Sequence, residues 1–67
     1  MRQKTIDAIT AHAAAEYPRE CCGVVVQKSR VERYFPCRNL AAAPEDNFVL
    51  CPEDYAVAED WGTVIAI

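Results

Sequence analysis

A chain of 67 residues, 52% hydrophobic and 25% charged, has room for one small domain, and a domain of that size buries only about 60% of the surface its unfolded chain exposes. The composition is that of a globular protein and excludes disorder. The net charge of −3 is unevenly spread, with all seven Lys and Arg in residues 1–38 and six acids without a base in residues 39–67. Arg30, Arg33 and Arg38 are interleaved with Glu32 and followed by acids. That pattern lacks the clustered cations phosphate binding needs and excludes a nucleic-acid role.

The N-terminus reads Met1-Arg2-Gln3-Lys4, with no apolar stretch long enough for a signal peptide or a membrane span. This points to a cytoplasmic protein. Cys21, Cys22, Cys37 and Cys51 are therefore expected as reduced thiols acting as small buried apolar residues rather than a disulfide framework.

From Thr5 to Glu16 nearly every residue favours a helix, and Ile6, Ile9, Ala13 and Tyr17 recur at spacings of three and four. They predict one apolar face, ended by Pro18. His12 lies about 100° off that stripe, which points it to solvent or to the edge of the stripe. Cys22-Gly23-Val24-Val25-Val26-Gln27 reads as a buried strand, and Val31 to Cys37 as its hairpin partner, with Pro36 marking an edge or an end.

Asn39 to Asn47 forms a connection with turn chemistry in Pro44-Glu45-Asp46-Asn47, and Phe48-Val49-Leu50 reads as a short third strand. Pro52 followed by Glu53 and Asp54 is a helix start. That helix runs to Trp61, with Gly62 as its C-terminal cap. Thr63-Val64-Ile65-Ala66-Ile67 is a β-prone run with no polar residue after it. An apolar strand with exposed edges invites pairing, so this ending predicts a truncated domain that self-associates through the final strand. The elements together predict an α/β fold: helix, hairpin, short strand, helix and strand around a mixed sheet.

Chemistry-bearing residues are few. A Cys-His thiol hydrolase would need a cysteine beside His12, and nothing in the sequence brings one there. Zinc held by the four cysteines would need a spacing that adjacent Cys21 and Cys22 do not have, unless scattered ligands converge. Glu20 stands out by position, between a helix-stopping proline and a buried strand. From its surroundings alone it reads most simply as an exposed loop carboxylate facing Arg19 or solvent.

Three features in this order and spacing resemble the opening half of the JAMM/MPN (JAB) metallopeptidases, in the form found in phage tail assembly. These are Pro18-Arg19-Glu20-Cys21-Cys22-Gly23 after an alanine-rich helix, Asn39 beyond the second strand, and Phe48-Val49-Leu50 leading into Pro52-Glu53-Asp54-Tyr55. The resemblance covers essentially residues 1–67 and implies the partial JAB/MPN, cytidine-deaminase-like fold. By matched position it implies that Glu20 is a general base toward a zinc-bound water. The family's metal ligands, a His-x-His motif with a later Ser and Asp, are absent from these 67 residues. The resemblance therefore implies a fragment with no metal ligand and no catalysis of its own, from a zinc-dependent parent in a phage or prophage tail. It also leaves a second role open, a metal-free interaction module. Expected partners are phage tail proteins, the missing half-domain or a second copy, with neither nucleic acid nor membrane, and a place at the virion tail tip for the full-length protein.

Overall fold

A computed structural model describes all residues, Met1–Ile67, as α1 (Gln3–Glu16), β1 (Cys22–Lys28), β2 (Val31–Cys37), α2 (Pro52–Trp61) and β3 (Thr63–Ala66). The α/β fold is as expected. The hairpin pairs Cys22 with Cys37 through Lys28 with Val31, leaving a two-residue turn. Ser29 there takes a positive φ of 55°, a conformation more at home in Gly or Asn.

Strand order is β2-β1-β3, and β1 is antiparallel to both neighbours. The mixed sheet expected from the sequence is thus antiparallel throughout. The α2 connection does make β2 and β3 run the same way, as a helical crossover should, but β1 lies between them. The third strand at Phe48-Val49-Leu50 is also corrected, to a single bridge between Asn39 and Leu50.

Central β1 is buried from Cys22 to Val26, because both of its faces are covered. Alternation along the strand divides it. Cys22, Val24 and Val26 join Cys37 and Ala58 in the core, flanked by Phe35, Leu50, Tyr55, Trp61 and Val64, so this face carries α2. Val24 and Val26 are fully enclosed, each stabilising by about 1.5–3 kcal/mol relative to an exposed side chain. The opposite face presents Gly23 and Val25 with Tyr34 and carries α1.

The docking face of α1 differs from the predicted stripe. Thr5 is buried and Ile9, His12 and Glu16 are half-buried, whereas Ile6, Ala13 and Tyr17 are exposed, Tyr17 at 82%. The reason is polar. Glu32 on β2 accepts from the Arg2 backbone N–H at 2.9 Å, and the adjacent Thr5 side chain and that amide hold its carboxyl below the usual range. His12 Nδ1 lies 2.7 Å from the Tyr34 hydroxyl. The helix is rotated to make these contacts, so His12 points at the sheet and not at solvent.

Gly62 closes α2 as predicted, its N–H donating to the Ala58 carbonyl, but its φ of −172° is extended and not left-handed. The need for glycine is steric: a Cβ there would lie 2.7 Å from the Gln27 carbonyl oxygen of β1.

The end of β2 is tied to the first turn of α2 by Arg38. Its backbone N–H and Nε donate to Asp54 Oδ2 at 2.8 and 3.0 Å, and Nη2 to Oδ1 at 3.2 Å. This fork holds the Asp54 carboxyl at about 2 against an ordinary 3.8. A carboxylate with a depressed folded pKa contributes stability above its unfolded pKa and loses it as pH falls through the folded value. Asp54→Asn is therefore expected to lower the urea midpoint at neutral pH, modestly because Arg38 is well exposed. The difference from the parent should close between pH 4 and pH 2, and a difference of equal size at both ends would refute the assignment.

Candidate functional site

Glu20 sits between the end of α1 and the start of β1. Pro18 ends the helix, and the Arg19 N–H turns back onto the Glu16 carbonyl at 2.9 Å. Arg19 also pairs with Glu16 at 3.6 Å. Glu20 is exposed, and its carboxylate has neither an ion pair nor a hydrogen bond. It does not pair with Arg19, the partner its surroundings in the sequence suggest.

The main chain of Glu20 is held from across the fold. Its N–H donates to the Pro44 carbonyl at 2.7 Å, and its carbonyl accepts from Asn39 Nδ2 at 2.9 Å. The 39–50 loop that supplies both partners is closed at its neck. Leu40 N–H donates to the Val49 carbonyl at 2.8 Å and Cys51 N–H to the Arg38 carbonyl at 3.1 Å, around the Asn39–Leu50 bridge. Within it, Asp46 and Asn47 N–H groups both turn onto the Ala43 carbonyl, the turn predicted from Pro44-Glu45-Asp46-Asn47.

The other candidates are dispersed. His12 pairs with Tyr34, not with a thiol. Burial pushes the Tyr34 hydroxyl up to about 12. All four cysteines are free, with Cys22, Cys37 and Cys51 buried and Cys21 half-buried. Burial raises the Cys22 thiol and pushes Cys37 up to about 11, the opposite of what a nucleophilic thiol requires. No three His, Cys, Asp or Glu side chains converge on a common point. The residues of this chain do not by themselves fit a zinc ion, which needs three or four such donors.

Beyond Cys21, on the α1 face of the sheet, an apolar cleft is lined by Met1, Ile9, Val25, Tyr34, Phe48 and Ile67. Glu20 lies outside it. No helix is long and apolar enough to cross a membrane.

The family model described as prokaryotic homologs of the JAB domain matches residues 2–67. The chain belongs to this JAB family. The α/β architecture of two helices and a three-stranded sheet is consistent with part of such a domain. This JAB homolog is 84% identical over all 67 residues to the protein named "Tail tip assembly protein K" of Escherichia phage N15. It spans 28% of the length of that relative. No solved structure matches it.

The role of Asn39 in organising this site is not visible in the sequence. Its partners, Glu20, Ala41, Pro44, Asn47 and Val49, are up to 19 residues away. The one local signal is an asparagine opening a turn-rich segment, which marks hydrogen bonding to nearby backbone but not to residue 20.

Proposed function

We propose that this JAB homolog serves phage tail assembly, as part of a tail-tip protein. The observation that carries the reading is the end-to-end 84% identity with a tail tip assembly protein K. At that level of identity, the surface as well as the core of the matched segment is largely shared. The experiment is replacement: residues 1–67 are substituted for the matched segment of the N15 protein in the phage genome. Plaque formation at the parental titre is expected, and loss of plaques from a graft that is expressed and folded would contradict the assignment.

The finer reading is that the parent protein is a JAMM-type hydrolase in which Glu20 is the proton-accepting carboxylate. Its exposure, freedom from partners and doubly bound main chain support that role. The chain's own residues do not form a metal centre, so its proposed part in hydrolysis is to present the base, with metal ligands supplied by other residues of the parent. The second reading, a metal-free interaction module for tail proteins, makes Glu20 dispensable.

Self-association is part of the proposal. β3 pairs with β1 on one side only, and Ile65 and Ile67 are exposed at 48% and 77%, leaving an apolar edge open to strand addition. Sedimentation of the 67-residue chain is expected to show a dimer that dissociates on dilution, and Ile65→Lys is expected to shift it toward monomer. A concentration-independent monomer would remove this element.

A further inference from the structure

The Asn39 side chain uses both ends of its amide. Nδ2 donates to the carbonyls of Glu20 at 2.9 Å and Asn47 at 3.1 Å, with a longer arm to Pro44 at 3.4 Å. Oδ1 accepts from the N–H groups of Ala41 at 3.0 Å and Val49 at 3.1 Å. The contacts to Ala41, Asn47 and Val49 would suffice to shape the loop. The bond to Glu20 does something else, because it reaches out of the loop to a residue that no strand pairing holds, the sheet register beginning only at Cys22. With the Pro44 carbonyl taking the Glu20 N–H, both backbone polar groups of Glu20 are fixed while its carboxylate has no partner.

We infer that Asn39 is a positioning residue for Glu20, fixing the main chain from which the carboxylate is presented. The inference rests on the reading of Glu20 as a base. A base must be held within hydrogen-bond reach of the proton it takes, and a displacement of about 1 Å costs on the order of 10²-fold in rate. An exposed glutamate between a helix end and a strand has no such restraint of its own. The amide of Asn39 supplies it.

The test uses phage N15 carrying the grafted residues. Asn39→Asp keeps the size of the side chain and its acceptor but removes Nδ2 and aims a carboxylate oxygen at three carbonyls. Asn39→Ser replaces the amide, with its two N–H donors, by a shorter hydroxyl without adding charge. Each is expected to lower the plaque titre by about 10- to 10²-fold, and each combined with Glu20→Gln to fall no lower than Glu20→Gln alone, since a displaced base and an absent base fail at the same step. Circular dichroism of the 67-residue variants checks the fold. Native spectra with non-additive titres support the inference. Titres that multiply in the double variants, unchanged titres in the single variants, or loss of fold in both would overturn it and leave Asn39 a loop-forming residue. If Glu20→Gln itself has no effect, the base reading fails, an outcome distinct from multiplicative titres.

Discussion

Glu20→Gln in the grafted phage is expected to reduce plaque titre by at least about 10²-fold, the lower end of what a general base contributes to a rate. The substitution is nearly isosteric and removes the negative charge together with the ability to accept a proton. It breaks no ion pair and no side-chain hydrogen bond, because the carboxylate has none, and both contacts of residue 20 run through its main chain. Stability is therefore expected to be unchanged, which makes the titre a readout of chemistry and not of folding. Parental titre with Glu20→Gln would sink the hydrolase reading and favour the interaction module.

Gly62→Ala has the largest expected effect on stability. A Cβ at this position meets the Gln27 carbonyl oxygen at 2.7 Å and its carbon at 3.0 Å, and Gln27 lies in the central strand, paired to Glu32 on one side and Thr63 on the other. No side chain can rotate away to make room. Relief requires the α2–β3 joint to move off β1, opening the packing of Ala58 and Trp61 against Val24 and Val26. Overpacking of this kind costs about 1–3 kcal/mol and occasionally more, against roughly 3–10 kcal/mol for a domain of this length. Gly23 provides the comparison. A Cβ there meets the Tyr34 ring and hydroxyl, and these belong to the far end of a side chain. Urea denaturation is expected to show that Tyr34→Ala relieves much of the cost of Gly23→Ala, while Gly62→Ala is relieved by no single side-chain truncation. An unchanged midpoint for Gly62→Ala would contradict the close approach of β1 and the α2–β3 joint.

The parts of this fold legible in the sequence are those with strong local punctuation. Pro52, the acids behind it and Gly62 delimit α2 at Pro52–Trp61, and the β-branched run from Val24 with its partner around Tyr34 delimits the hairpin. The orientation of α1 was not legible. Ala8, Ala11, Ala14 and Ala15 lie on the side of the helix opposite Ile6, Ile9 and Ala13, so its apolar asymmetry is weak. What orients it instead is Thr5 beside Glu32 and His12 against Tyr34, contacts between polar groups that hydrophobic periodicity cannot register. The short strand at Phe48-Val49-Leu50 reduces to one bridge because the side chain of Asn39 takes the Val49 N–H. Glu20 is singled out by its family resemblance more than by its surroundings, and the loop that holds its main chain becomes visible only in three dimensions.

Residue 20, although outside every strand, is fixed by the 39–50 loop. Amide hydrogen exchange of the 67-residue chain, read residue by residue by NMR, tests it most directly. The Glu20 N–H is expected to be protected by its bond to the Pro44 carbonyl, to a degree comparable with the Val49 N–H bound by Asn39. Exchange of the Glu20 amide at the rate of an unstructured peptide, while the β1 amides stay protected, would contradict it.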